Sequence, residues 1–390
     1  MLTREQTSIQ EKLQSQMAEG GFDALILTLP ESVYYATGMP NHLLYATHRV
    51  GTCVAVVPKT GRCILICDAE DVQGAVSICR DVEIQEYSLE TFSDGKDRSV
   101  LVDPDKALRI AYERIRSFCS NPQRIGIEWQ TMPYDRMMFL ISVFGRDVLA
   151  DGTDPLFKAR AVKTPWEISV LKDAAQATDR AMYETCLNID VGMTEEDVLY
   201  FWNKACFNQG SRFFDRHSVH TFADQHTPVY IPRTFFRLKE GDLCKLDGTL
   251  IHKGYVSDLA RVFSVGKYVD PKKETIYELL LRAQDAAFEM AGPGVRMSDV
   301  YRRCLGIIQS VIPEFTVRNV GHSIGCSRFP TEQPVFNAYE DRQLEPNMVF
   351  CIEITYCDDS DSTYTLEDMM VITEDGVDRF TAVPRTLLRL

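Results

Sequence analysis

Residues 243–265 read LCKLDGTLIHKGYVSDLARVFSV, two β-rich runs on either side of a short polar turn at His252–Lys253, with Gly254 following. That pattern is a β-hairpin. With His252 and Lys253 as the two turn residues, antiparallel pairing puts Asp247 directly across from Asp258. Like charges held opposite one another destabilise a strand pair, so an acid pair in an otherwise apolar hairpin calls for a proton or a cation between the carboxylates. A metal ion meets that requirement.

Residues 348–373, MVFCIEITYCDDSDSTYTLEDMMVIT, repeat the arrangement around the polar loop Asp358–Ser362 and pair Glu353 with Glu367. On the first strand Val349, Cys351 and Glu353 share one face while Phe350, Ile352 and Ile354 share the other, so both faces are expected to be buried. An unpaired carboxylate there costs several kcal/mol or more, and no basic residue lies nearby in sequence to offset it. The fifth element is His322 in RNVGHSIGCSR, flanked by glycine and suited to reach a metal from a strand end. Four carboxylates and one imidazole suit hard or borderline divalent ions such as Mn, Co, Fe or Zn.

Working outward, two helices are expected before each hairpin: 165–188 and 194–208 before the first, 273–291 and 297–311 before the second. Helix, helix, hairpin thus occurs twice, an internally duplicated α+β domain without a residue-level repeat. Upstream lie a helix at 3–19, the strand FDALILT, the helix or turn PESVYYATG, and the strands CVAVVP and RCILICD about a turn at Lys59–Gly61. Strands and helices alternate to about Leu149, an α/β domain of its own. The run DGTDPLFKARAVKTPWE (151–167) carries two prolines and loses periodicity, before a long helix starts at Pro165 with Thr164 as its N-cap. Domains are therefore expected at 1–155 and 156–390.

Composition narrows the partners. The chain has 390 residues, 45% hydrophobic and 25% charged, with a formal charge of −14 and no Lys/Arg stripe, which opposes nucleic acid. No eighteen-residue apolar stretch occurs and the N-terminus is a polar amphipathic helix, so no membrane partner and a cytoplasmic location are expected. Twelve cysteines, scattered from Cys53 to Cys357 without a CxxC, are expected to be mostly buried reduced thiols, with Cys63 and Cys67 as strand residues.

Several stretches carry a resemblance that covers almost the whole chain: GFDALILTLPESVYYATGMP, KARAVKTPWEISVLKDAAQATDRA, GMTEEDV, RLKEGDLCKLDG, GYVSDLARVF, GHSIG, LEPNMVF and TAVPRTLL. It resembles the pita-bread metallohydrolases, which include prolidase, aminopeptidase P, methionine aminopeptidase and the creatinase group. The resemblance implies a C-terminal pita-bread (duplicated α+β) catalytic domain behind an N-terminal α/β creatinase-like domain. It implies two divalent metal ions (Mn, Co, Zn or Fe) on Asp247, Asp258, His322, Glu353 and Glu367, with Asp258 and Glu367 bridging. Metal-activated water would attack a carbonyl beside a C–N bond, Glu353 would handle the proton, and the protein would be a homodimer.

The sequence departs from the peptidase pattern near that site. After GHSIG it reads CSRFPTEQP, so Phe329 or Thr331 stands where peptidases carry a second His, while Glu332–Pro334 keeps the Glu-x-Pro part. A further His, expected near Val229 or Tyr230, is absent; His226 serves only if the loop is rearranged. The Arg that many prolidases carry two residues before the last ligand is Thr365. The expected catalytic residues are Glu353 and His226, with Arg328 and Glu332 binding substrate. The leading reading is a C–N bond hydrolase of the X-Pro dipeptidase/aminopeptidase P type, acting on a dipeptide or small zwitterion. Its alternatives are a creatinase- or ectoine-hydrolase-like enzyme on a small nitrogenous compound, a lyase on a compact zwitterion, and a non-catalytic binding module. Tyr45, His48 and Arg49 read as loop residues, His217 and His220 as strand residues packing beside Phe213 and Phe214, and Trp166 and Trp202 as helix core.

Overall fold

The amphipathic N-terminal segment forms a helix over Gln6–Glu19, with Ile9, Leu13 and Met17 on its buried side. It opens a computed structural model that describes residues 3–40, 50–88, 105–210, the backbone of 218–220, and residues 237–327, 329–359 and 362–390. The described chain divides into two units, Thr3–Arg160 and Ala161–Leu390. In the first, β1 (Ala24–Leu27), β2 (Val54–Pro58), β3 (Ile64–Asp68), β4 (Glu83–Tyr87), β5 (Ile125–Ile127) and β6 (Leu149–Asp151) form a sheet in the order β4-β3-β2-β1-β5-β6. The β1–β2 and β2–β3 pairs are antiparallel and the remainder parallel. Ile26, Val54, Val56 and Ile66 pack there against Leu108, Ala111 and Ile115.

The run expected to lack periodicity contains a helix, Thr153–Ala161. Asp151 Oδ1 accepts from Thr153 N (2.9 Å) and Thr153 Oγ1 (2.6 Å), and Pro155 falls in the first turn, where its missing N–H is not needed. The next helix begins where expected. Thr164 caps Pro165–Cys186 in a reciprocal box with Glu167.

The second unit has helices at Pro165–Cys186, Glu195–Asn208, Pro271–Met290 and Met297–Gln309. Its strands are β7 (Ser218–His220), β8 (Leu243–His252), β9 (Tyr255–Ser264), β10 (Gly321–Ser323), β11 (Glu332–Val335), β12 (Val349–Cys357) and β13 (Thr363–Ile372). They lie in the order β11-β10-β12-β13-β9-β8-β7, each neighbouring pair antiparallel. Two helices and a hairpin recur, as the duplicated α+β class requires. The helices cover one face. Leu246, Leu250, Leu259 and Phe263 pack with Ala177, Ala181 and Trp202, while Ile352, Ile354, Leu366 and Met370 pack with Leu280, Ala283 and Ala287. At Gly248 a Cβ would meet the Trp202 ring at 2.4 Å, so glycine there is what lets the indole lie on the sheet.

The first hairpin corrects the expected register. Its turn residues are Lys253 and Gly254, with φ of 47° and 78°, and His252 pairs with Tyr255. A two-residue turn of this hand needs positive φ at both positions, and the glycine supplies one without strain. Asp247 therefore lies opposite Ala260, and Asp258 opposite Thr249. Moving the turn by one residue moves each partner by two, so the side chains keep their face. Tyr255 is tied down: its hydroxyl donates to Glu167 Oε1 (2.9 Å) and its ring meets Trp166 edge-on at 5.5 Å. In the second hairpin Glu353 pairs with Glu367 as expected.

Ten of the twelve cysteines are buried, Cys119 and Cys357 being the others, and all twelve are free thiols. Among the described residues no helix is long and apolar enough to cross a membrane.

Candidate metal centre

Register alone collects the five expected residues on one face. Asp247 pairs with Ala260, Ala260 with Glu367, and Glu367 with Glu353, a single row across β8, β9, β13 and β12. Directly paired residues project to the same side, as do residues two apart on a strand. Asp258 stands two before Ala260, and His322 pairs with Cys351, two before Glu353. All five therefore point away from the four helices. Ala260 is the small member of the row, and its methyl leaves space where the acids from neighbouring strands converge.

Carboxylate oxygens of Asp247, Asp258 and Glu367 lie within 4.8 Å of one another, as do ligand atoms of His322, Cys351 and Glu367. Glu367 belongs to both groups. His322 Nε2 is 3.4 Å from Glu367 Oε1 and 3.9 Å from Asp258 Oδ2. Its Nδ1 lies 3.0 Å from the Ser323 carbonyl oxygen, which only accepts, so Nδ1 carries the hydrogen. In the neutral ring Nε2 then turns a lone pair toward the carboxylates.

Burial pushes the Asp258 carboxyl well above the usual range, reinforced by the charge of Glu367. Burial does the same to Glu367, with Glu353 adding to it, and raises Glu353, with Asp247 adding to it. Burial raises the Cys351 thiol strongly, followed by the charge of Glu367. Asp258 Oδ1 and Glu367 Oε1 are buried without a hydrogen-bond partner. Acceptor atoms turned on one another in a closed space fit divalent cations with oxygen and imidazole donors.

Further parts of this site are not legible in the sequence. Lys245, two before Asp247, projects on the same face with Nζ 3.1 Å from Asp247 Oδ2 and lowers the proton affinity of Glu353. The cation not found near Glu353 along the chain thus comes from β8; the signal available was the two-residue spacing of Lys245 and Asp247. Arg261, on the helix side, donates to the carbonyls of Ala260 and Glu367 (2.8 Å each) and clamps β9 to β13 behind the row. Cys351 carried the same two-residue spacing from Glu353. Thr355 Oγ1 donates to Glu353 Oε1 (3.3 Å) and lies 3.1 Å from Thr365 Oγ1. Gly321 admits no side chain: a Cβ would sit 2.1 Å from the Cys351 carbonyl oxygen, and its φ of 150° suits glycine.

Glu332 pairs with Ser323 on β11, is buried, and accepts from Ser327 N (2.9 Å), so it braces the turn after His322 and belongs to neither acid group. Phe329 and Thr331 are exposed, and Trp166 and Trp202 are buried. His220 is the backbone partner of Asp247. His226, Arg328, Tyr45, His48, Arg49, Phe213, Phe214, His217, Val229 and Tyr230 lie outside the described residues.

Residues 169–374, more than half of the chain, match metallopeptidase family M24, and residues 10–162 match the creatinase/prolidase N-terminal domain. The chain belongs to metallopeptidase family M24. This M24 chain is a metal-dependent peptide hydrolase by family, with the pita-bread and creatinase-like fold expected from its sequence. It is 27% identical over 267 residues to the putative dipeptidase YkvY of Bacillus subtilis, covering 68% of this chain and 73% of that protein. It is 32% identical over 270 residues to the probable dipeptidase PepE of Mycobacterium tuberculosis, covering 66% of this chain and 68% of that one. In fold it superposes on an Xaa-Pro dipeptidase from Bacillus anthracis with a TM-score of 0.82 at 22% identity, over 99% of this chain and 100% of the other.

Proposed function

We propose that this M24 chain is a two-metal dipeptidase of the Xaa-Pro type, hydrolysing the C–N bond of a dipeptide or similar small zwitterion. One observation carries the reading: two groups of potential ligands share Glu367, and Asp258 Oδ1 and Glu367 Oε1 are buried there without a hydrogen-bond partner. Asp247, Asp258 and Glu367 would hold one divalent ion, and His322 and Glu367 the other, with Glu353 joining the second as the cross-strand partner of Glu367 and Asp258 Oδ2 3.9 Å from His322 Nε2. Bound there, such ions supply Lewis-acid polarisation of a carbonyl and a lowered pKa for water. Mn, Co, Zn and Fe all suit the donors.

The side chains divide the remaining work. Glu353 and Asp247 are only partly buried, whereas Asp258 and Glu367 are closed off; of the two open acids Asp247 is paired with the Lys245 ammonium, which leaves Glu353 to meet a substrate. Burial raises its proton affinity, which suits it to take a proton and return it to the leaving nitrogen, while the Thr355 hydroxyl orients Oε1 and works against that rise. His322 is held in one tautomer by the Ser323 carbonyl. His226 and Arg328 complete the proposed set as proton and substrate-carboxylate partners, with Glu332 supporting them through the turn after His322. The reading takes residues 156–390 as the catalytic domain and 1–155 as the N-terminal domain of a cytoplasmic homodimer. Neither nucleic acid nor membrane is proposed as a partner, on the strength of the −14 charge and the family resemblance.

A second reading, a non-peptidase hydrolase of a small nitrogenous zwitterion, is favoured by Thr365 and Thr355, which bond to each other beside Glu353 where prolidases carry an arginine. Metal analysis followed by a Mn-supplemented screen of X-Pro dipeptides against creatine, ectoine-like and betaine-like compounds separates the two. Two ions per chain with cleavage of Gly-Pro or Ala-Pro supports the dipeptidase; two ions with turnover confined to the small zwitterions supports the alternative. No bound metal would sink both.

A further inference from the structure

The cage takes two acids from each hairpin, so its dimensions depend on the seam between β9 and β13. Within each hairpin pairing runs the length of the strands, whereas across the seam Glu367 with Ala260 is the pair formed among the described residues. Beyond that pair the two strands take other neighbours: Val377–Arg379 adds to β13 and Leu388–Arg389 adds to β9. The segment TAVPRTLL (381–388) therefore crosses from one hairpin to the other, and no step of the proposed reaction uses it. Buried charges hold it there. Asp179, on the helix Pro165–Cys186, accepts from Ala382 N (2.7 Å), and Arg261 donates to the carbonyls of Val383 (3.2 Å) and Pro384 (3.3 Å). Thr381 Oγ1 donates to Asp368 Oδ1, beside Glu367. So fixed, the segment delivers Arg385 to a junction. Its Nε lies 3.2 Å from Asp368 Oδ2, Nη2 donates to Gln284 Oε1 (2.5 Å), and Nη1 pairs with Asp285.

Three main-chain carbonyls of the ligand row are gripped through this junction. Arg261 holds those of Ala260 and Glu367, and Gln284 Nε2 holds that of Ile352 (2.9 Å), whose peptide unit leads into Glu353. Arg385 touches both grips, through Asp368 on one side and Gln284 on the other. Buried ion pairs add little net stability over apolar packing of the same volume, but a guanidinium fork fixes its partners in one arrangement. We propose that Arg385 is a positioning residue for the metal centre, stapling the two hairpins across their thin seam from the helix side of the sheet. The inference rests on the reading of the carboxylates as a two-metal centre. Without the fork Arg261 still neutralises Asp368 and the chain still folds, but Gln284 loses its anchor and the two acid pairs can shift relative to each other.

The test is Mn2+ binding by equilibrium dialysis on chelator-stripped full-length protein, with the visible absorption of the Co2+-loaded protein as a second readout. Arg385→Met should weaken Mn2+ binding by about tenfold and alter the Co2+ bands, which report the geometry of the donors. Gln284→Leu should do the same, and because the two act through one junction the double variant should lose no more than about twofold beyond the worse single one. Cys304→Ala, in the core on the helix Met297–Gln309, is the control for lost stability: it should lower the thermal midpoint and leave both metal readouts unchanged. If Arg385→Met misfolds, Gln284→Leu is read against the same control. Mn2+ affinity within about twofold of wild type with superimposable Co2+ spectra overturns the inference while leaving the two-metal reading standing, as do equal weakening in Cys304→Ala and additive losses in the double variant. Absence of Mn2+ and Co2+ binding in the wild type overturns both.

Discussion

The two hairpins deliver acids to the same cage by different geometry. In β12–β13 Glu353 and Glu367 are direct partners, whereas in β8–β9 Asp247 and Asp258 are offset by two residues, with Ala260 and Thr249 in the slots opposite. Direct partners hold their Cβ atoms about 5 Å apart and diagonal ones about 7 Å or more, so the glutamate pair carries the harsher repulsion. Their local supports differ too: a hydroxyl from Thr355 on Glu353, an ammonium from Lys245 on Asp247. The hairpin with the gentler geometry contains its own cation. The one with the harsher geometry depends more on what arrives from outside.

The comparison can be broken most decisively at Glu367, which serves both groups. Glu367→Ala should remove both ions and lower turnover on the order of 1000-fold or more, as should Asp258→Ala; metal analysis showing two retained ions would refute the shared role. Next is Ala260→Leu, which fills the slot that keeps the first hairpin's acids apart. Turnover should fall about 100-fold and metal content should drop, with little change in far-ultraviolet dichroism. Gly321→Ala sharpens the question of how His322 is presented, since the new methyl meets the Cys351 carbonyl. Urea unfolding should show a loss of about 2–4 kcal/mol.

The smallest effect is a pH dependence. Asp258, Glu367 and Glu353 bind protons more tightly in the folded chain than in the unfolded one, where carboxylates titrate near pH 4. Above about pH 4 the metal-free folded state therefore holds the extra protons, and its stability falls as pH rises toward the raised values. The thermal midpoint of EDTA-treated protein should drop between pH 5 and pH 8, and Mn2+ should flatten the curve. A flat curve without metal would mean that cations of the chain, Lys245 first, already balance the acids.

Much of this was legible in the sequence because a strand repeats every two residues. Opposed acids in two apolar hairpins, with a glycine-flanked histidine, gave the five residues that share the face. The turn of the first hairpin was misplaced because His252, Lys253 and Gly254 offer two adjacent choices, and only the left-handed backbone of Lys253 and Gly254 decides between them. Parity rescued the face although the partners were wrong. Lys245 is not legible as a partner because no cation lies near Glu353 along the chain, whereas the sheet brings one from β8. The helix at Thr153–Ala161 was hidden by prolines, one of which sits in its first turn.

The link from the Tyr255 hydroxyl to Glu167 has a consequence for how such a chain can change length. It pins the first residue of β9 to the cap of a helix, and the turn before it has only two residues. A residue inserted in that turn and absorbed by slippage of β8 would carry Asp247 to the opposite face, against the ring of Trp202. The eleven-residue interval from Asp247 to Asp258 is therefore a length that cannot change by one without turning an acid off the face.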